Sequence, residues 1–159
     1  PTALSGTSIA AFVDMKAKLL NDRGGRTYAL VFDTGDEAVS QLTRFAEENR
    51  LHAASFTAIG AFSEATPGYF DWEKKDYLRT RIAEQVEVLA LVGDIALAQG
   101  KPKVHTHVVL GKRDSSAHGG HLLEARVRPT LEVVLTESPA HLVREHDPES
   151  GLALIRIAK

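Results

Sequence analysis

Cysteine is absent from the 159 residues, which excludes disulfides, thiolate metal sites and a cysteine nucleophile. Any metal must therefore be held by nitrogen and oxygen ligands. Long apolar runs are missing as well: no segment approaches the eighteen or so consecutive apolar residues that a membrane span requires, so no membrane is expected as a partner. Charge of one sign is not in excess either, the formal net charge being −2 and the pI about 6.4. There is thus no global field to draw in a phosphate backbone, and a nucleic-acid footprint would have to be local. Residues 1–14 contain no Lys or Arg ahead of their apolar stretch, so the pattern of a secretory signal is missing and a cytoplasmic location is expected.

What remains is a composition ordinary for a folded domain, 43% hydrophobic and 25% charged. Methionine occurs once, at Met15, directly before the Lys-rich start Lys16-Ala17-Lys18. That position predicts an N-terminal extension over residues 1–14 and a single domain over 15–159, a length that can bury a core without staples.

Along the chain, the β-branched and aromatic segment Arg26 to Phe32 follows Gly24-Gly25 and predicts a first strand. After the turn Asp33-Thr34-Gly35-Asp36, apolar residues Ala38, Val39, Leu42, Phe45 and Ala46 recur at steps of three and four, the period of an amphipathic helix ending near Asn49. Ala53 to Ala65 is small, apolar and β-prone, with Gly60 marking a bulge or close approach. Thr66-Pro67-Gly68 predicts a turn, and Tyr69 to Ile82 a hairpin with a charged tip at Glu73-Lys74-Lys75. Further strands are expected over 86–97, 104–110, 121–127 and 131–135, with two more in the tail over 141–145 and 152–157. One clear helix and about eight strands imply an α+β fold, a central and mainly antiparallel sheet with helices on one side.

The chemistry is concentrated in the histidines. His105 and His107 alternate with Val104, Thr106 and Val108, so on a strand both imidazoles leave from one face, about 6–7 Å apart along the backbone. His121 follows Gly119-Gly120, where glycine permits the next strand to be turned back beside the first. Three neutral imidazoles around a divalent metal leave a fourth position for water, as in open catalytic zinc sites. Such an ion polarises a carbonyl or acidifies its bound water. Imidazole also suits iron, nickel and copper, so zinc is the default for this site and not a deduction. The competing explanation is that His105 and His107 are ordinary strand residues with satisfied hydrogen bonds.

Around this set, Glu124 and Glu132 are candidates to orient the ligands by accepting their second N–H, and Arg126 and Arg128 to hold a small anionic ligand bidentately. Each is equally a solvated strand residue by its pattern. His118 is expected on a loop, and His52, His141 and His146 on the surface without partners. A cupin arrangement, which needs a glutamate four to five residues after HxH, fails because Gly111 and Lys112 stand there.

Several pieces together resemble a known family, the plants and prokaryotes conserved (PPC) domain. They are the strand-turn-helix Tyr28–Phe45 with Gly35-Asp36, Thr57-Ala58-Ile59-Gly60-Ala61, Glu87 to Gly93, His105-Thr106-His107-Val108, Gly119-Gly120-His121-Leu122 and Thr130 to Leu135. They run in family order from about Met15 to Leu135, and the HxH followed by Gly-Gly-His-Leu is the most specific. The resemblance implies an α+β fold with an antiparallel sheet, a homotrimer, and a metal on His105, His107 and His121. It also implies a fold similar to acetolactate decarboxylase, which makes a metal-dependent lyase or hydrolase acting on a small carboxylate an enzyme hypothesis, with Arg113, Arg126 or Arg128 as its anion-holding candidates. The family's DNA-binding label is a third hypothesis, although the basic AT-hook segment that reaches into the minor groove does not occur here. No catalytic residue follows from any of this.

Overall fold

A computed structural model describes residues 15–138 and 140–157; the predicted extension over 1–14 lies outside them. Nine strands and one helix follow in the order β1 (Lys16–Asn21), β2 (Thr27–Phe32), α1 (Ala38–Glu48), β3 (Ala53–Asp71), β4 (Asp76–Arg79), β5 (Val86–Ala98), β6 (Lys101–Gly111), β7 (Ala117–Glu137), β8 (Val143–His146) and β9 (Ala153–Arg156). The fold is thus dominated by its sheet, with one helix among the described residues where several were expected.

All nine strands share one sheet, in the order β1-β2-β7-β3-β5-β8-β9, with β4 on β3 and β6 between β5 and β7. Because β6 pairs with both β5 and β7 while β3 also pairs with both, the strands β3, β5, β6 and β7 close into a circuit. Every pairing is antiparallel except the short β5–β8 contact. The long strands β3 and β7 serve this closure by engaging different neighbours at their two ends. β7 pairs with β6 over its first five residues and with β2 over Leu131–Thr136.

The helix starts where the sequence pattern places it. Glu37 caps it, its carboxylate Oε2 accepting from the backbone N–H of Ser40 at 2.7 Å and Oε1 from that of Ala125 at 3.0 Å. One acid thereby satisfies a helix N–H and ties α1 to β7. Ala38, Leu42, Phe45 and Ala46 are buried on the predicted apolar face, and they cover the inner side of the sheet together with Leu30, Phe32, Phe62, Leu110, Val127 and Leu131. On β6 the inward residues are Thr106, Val108 and Leu110, so His105 and His107 face outward.

Four expectations need correction. Thr66-Pro67-Gly68 is not a turn but part of β3; Pro67 sits where the register with β7 shifts, so its missing N–H costs no regular ladder bond. The predicted strands over 121–127 and 131–135 are one strand, β7, and Pro129 falls in the gap between the Val127 and Leu131 pairings. His118 lies on β7 and not on a loop. The edge strand β1 has no apolar alternation to announce it, every one of its residues being exposed, as suits an edge kept from further pairing by lysines. Gly60 behaves as expected: the register with β5 shifts just before it and that with β7 just after it, and a Cβ there would lie 2.8 Å from Cα of Leu131.

Candidate metal centre

Antiparallel pairing brings the three histidines together. His107 stands directly opposite His121 in the β6–β7 ladder, and His105 is two residues along the same outward row of β6. His121 is delivered by the two glycines before it. A Cβ on Gly120 would lie 2.6 Å from the carbonyl oxygen of Gly68 on β3, and one on Gly119 would lie 2.5 Å from that of Val108 on β6. Only glycine lets β7 run this close to both neighbours at once.

The rings form a tight triangle, with centroids 5.1 Å apart for His105–His107, 5.2 Å for His105–His121 and 5.4 Å for His107–His121. One nitrogen from each lies within 4.8 Å of the others. Nε2 of His105 and Nε2 of His107 are 3.2 Å apart. Two nitrogens bound tetrahedrally to one zinc at ~2.05 Å are separated by about 3.3 Å, so this spacing fits a shared ion. Nδ1 of His121 is buried and has no hydrogen-bond partner in the structure. An orphaned imidazole nitrogen in such a cluster fits a ligand to a cation better than an ordinary strand histidine, since buried polar atoms are otherwise almost always paired.

The surroundings disfavour protonation of two of the rings, His121 and His107. Burial, and after it the neighbouring charges of His105, His107 and Lys103, push His121 down to about 4. His107 is lowered by burial and then by His105. A neutral ring offers its lone pair to a metal without first losing a proton. Tyr77 of β4 stacks on His121 with centroids 4.6 Å apart and planes at 25°, restricting that ring's rotation; its own hydroxyl is raised by burial.

The groups beside the triangle are not the ones the sequence pattern suggested. Glu124 pairs with Arg79 at 3.4 Å and its side chain is 68% exposed, while Glu132 stands opposite Val31 and Ile59, on the part of β7 that pairs with β2 and β3 and not with β6. Arg126 donates to the carbonyl of Gly35 and Arg128 to Gln85 Oε1. Arg126 and Glu124 line a separate cavity of about 1010 Å³ beside the start of α1. His52 and His141, expected to stand alone, contact each other edge-on with nitrogens 3.3 Å apart. At the histidine triangle the structure places Asp94 and Arg144 instead. Asp94 of β5 is directly opposite His105 in the ladder, with Oδ2 3.8 Å from Nδ1. Arg144 of β8 donates from Nη2 to Asp94 Oδ1 at 2.6 Å. Burial pushes the Asp94 carboxyl up, but the neighbouring His105 and the hydrogen bond from Arg144 outweigh it and leave the group below its usual range. Asp94 carried a signal that sequence inspection passed over, an acid inside the apolar run of β5.

Comparison with known proteins agrees with this architecture. The model of the Plants and Prokaryotes Conserved (PCC) domain matches residues 20–139. A crystal structure described as the metal-containing protein from Archaeoglobus fulgidus is 36% identical, with TM-score 0.76, over 90% of this chain and 98% of that one. A plant- and prokaryote-conserved protein from Pyrococcus horikoshii is 31% identical, with TM-score 0.79, over 91% and 96%. The α-acetolactate decarboxylase of Bacillus subtilis shares the fold at 13% identity and TM-score 0.51, over 69% of this chain and 51% of that one. Among curated proteins nothing matches. Matched over more than half its length by the family model, the chain belongs to the plants and prokaryotes conserved domain family.

Proposed function

We propose that this protein is a metal-binding member of its family, holding one divalent ion, zinc by default, on His105, His107 and His121. The observation that carries the proposal is the convergence of three outward imidazoles, two with nitrogens 3.2 Å apart and the third with a buried unpaired nitrogen. The metal-containing relative from Archaeoglobus fulgidus supports it. Three protein nitrogens leave room for a further ligand. Lys103, outward on β6 two residues before His105 and close enough to His121 to act on its charge, is the basic group that a small anion would meet there. A metal-dependent lyase or hydrolase acting on a small carboxylate stays the enzyme alternative. Two of its three candidate arginines, however, bond away from the triangle, Arg126 to the carbonyl of Gly35 and Arg128 to Gln85, which leaves Arg113 as its candidate. The DNA-binding alternative rests on the family label, and a net charge of −2 gives it no support.

The homotrimer implied by the family resemblance belongs to the same proposal. Val31, Ile59, Leu89, Val92, Val109 and Val134 are exposed, and the ladder pairings Val31↔Glu132↔Ile59 and Val134↔Thr57↔Val92↔His107 put much of this set on one outward face. An apolar face of this kind suits burial against another subunit.

Plasma mass spectrometry on untagged protein tests the metal site, beside a His105→Ala/His107→Ala double variant. About one metal per chain, lost in the variant, is the expected result. No metal in either protein would return the histidines to ordinary strand residues.

A further inference from the structure

His105 turns its two ring nitrogens toward different partners. Nε2 faces the cluster, 3.2 Å from Nε2 of His107. Nδ1 faces away, 3.2 Å from Nη2 of Arg144 and 3.8 Å from Oδ2 of Asp94. The two partners make opposite demands, since a guanidinium only donates hydrogen bonds and an ionised carboxylate only accepts them. A neutral imidazole has one N–H. When Nδ1 accepts from Arg144, the proton sits on Nε2 and blocks the nitrogen that faces His107. When Nδ1 donates to Asp94, the Nε2 lone pair is open.

We propose that Asp94 and Arg144 set the tautomer of His105, Asp94 favouring and Arg144 opposing the form that can ligate a metal, so that the C-terminal hairpin tunes how tightly the ion is held. This rests on the three-histidine reading of the site. The guanidinium is fixed in place and not a solvated neighbour: its side chain is 6% exposed, Nη2 reaches Asp94 at 2.6 Å, and Nη1 donates to the carbonyl of Ala153 on β9 at 3.0 Å. It arrives from outside the family core. β8 joins β5 through Leu97↔Val143 and Ala98↔Arg144, and Arg144 lies beyond residues 20–139, which the family model matches. The histidines and the arginine that acts on one of them therefore come from separate parts of the chain.

The test is the zinc dissociation constant, measured by competition with a chromogenic chelator, for the wild type and the variants Asp94→Asn, Arg144→Met and His107→Ala, with circular dichroism to show that each is folded. In Asp94→Asn the amide oxygen must face Arg144, so its amino group takes the place of Oδ2 and a second donor confronts Nδ1. Binding about 10–100-fold weaker is expected, the usual consequence of losing a carboxylate behind a ligating histidine. Arg144→Met removes the opposing donor but keeps an apolar stem, and is expected to bind zinc as tightly as the wild type or more tightly. Nitrogen-15 NMR of the His105 ring should show more Nε2–H in Asp94→Asn and less in Arg144→Met than in the wild type. A residue pair that merely props the sheet would weaken binding in both variants alike, and that result overturns the proposal. So does an Asp94→Asn protein that binds as the wild type does, or a tautomer unchanged in both. The underlying site fails differently: zinc binding absent from the wild type removes the site. Wild-type binding lost in His107→Ala but indifferent to the Asp94 and Arg144 variants removes the tautomer control alone.

Discussion

Single side chains do more here to join distant segments than to add bulk stability. Arg26 binds Glu137 through two bonds of 2.7 Å and also donates to the carbonyl of Asn49 at the end of α1. One guanidinium thus gathers the start of β2, the end of β7 and the helix terminus, in the bidentate geometry that makes arginine pairs specific. The hydrogen bonds from Arg26 hold the Glu137 carboxyl below its ordinary value. A carboxylate whose folded value is depressed contributes stability that is complete above the unfolded value, about 4.3, and is lost as pH falls through the lower folded value. Thermal melts from pH 7 downward should therefore show a loss of stability beginning near that unfolded value. The variant Glu137→Gln should be less stable by on the order of 1 kcal/mol at pH 7, with a flatter acid limb. A melting curve as steep in the variant as in the wild type would show that other carboxylates govern acid unfolding.

At the scale of elements, the metal centre depends on how closely β7 approaches β3 and β6. Gly120→Ala puts a methyl group 2.6 Å from the Gly68 carbonyl oxygen, a contact that backbone must move to relieve. The expected cost is about 1–3 kcal/mol, as for other overpacked sites, together with weaker zinc binding because His121 moves with its strand. Melting temperature and zinc affinity measured on the same variant check both; a normal affinity would mean that β7 can retreat without carrying His121 out of the triangle. Elements also show why some expectations held and others did not. The helix was legible because its apolar residues Ala38, Val39, Leu42, Phe45 and Ala46 repeat at steps of three and four. Pro67 and Pro129 look like breaks because proline lacks an N–H, yet each occupies an irregular point in a continuing strand, which only the register reveals. β1 is exposed along its whole length and so leaves no burial pattern to read.

For the whole molecule, the circuit of β3, β5, β6 and β7 leaves the sheet with two different faces. The inner one is filled by α1 and the core. The outer one carries the histidines in the same row as exposed Val92 and Val134, so the proposed metal centre and the proposed subunit contact are neighbours. If that face is buried in a trimer, Ile59→Lys, at a site 62% exposed in the single chain, should shift the molar mass in light scattering from three chains to one while leaving the circular dichroism spectrum intact. A wild type that is monomeric at micromolar concentration would remove the trimer from the account.

The sequence by itself determined the local patterns: the helical repeat of α1, most strand positions, the HxH alternation and the glycines before His121, all of which depend on residues a few positions apart. It also carried the family assignment, since the matching segments keep their order. What only the tertiary structure decided is which residues meet across the fold. Asp94 and Arg144 are 50 residues apart and bond at 2.6 Å, and Tyr77 stacks on His121 from a separate hairpin. Glutamates near His121 in sequence turn away from it because strand pairing selects the residue opposite and not the residue nearby. Partners of that kind follow from register and closure, which long-range pairing fixes and no short window of sequence contains.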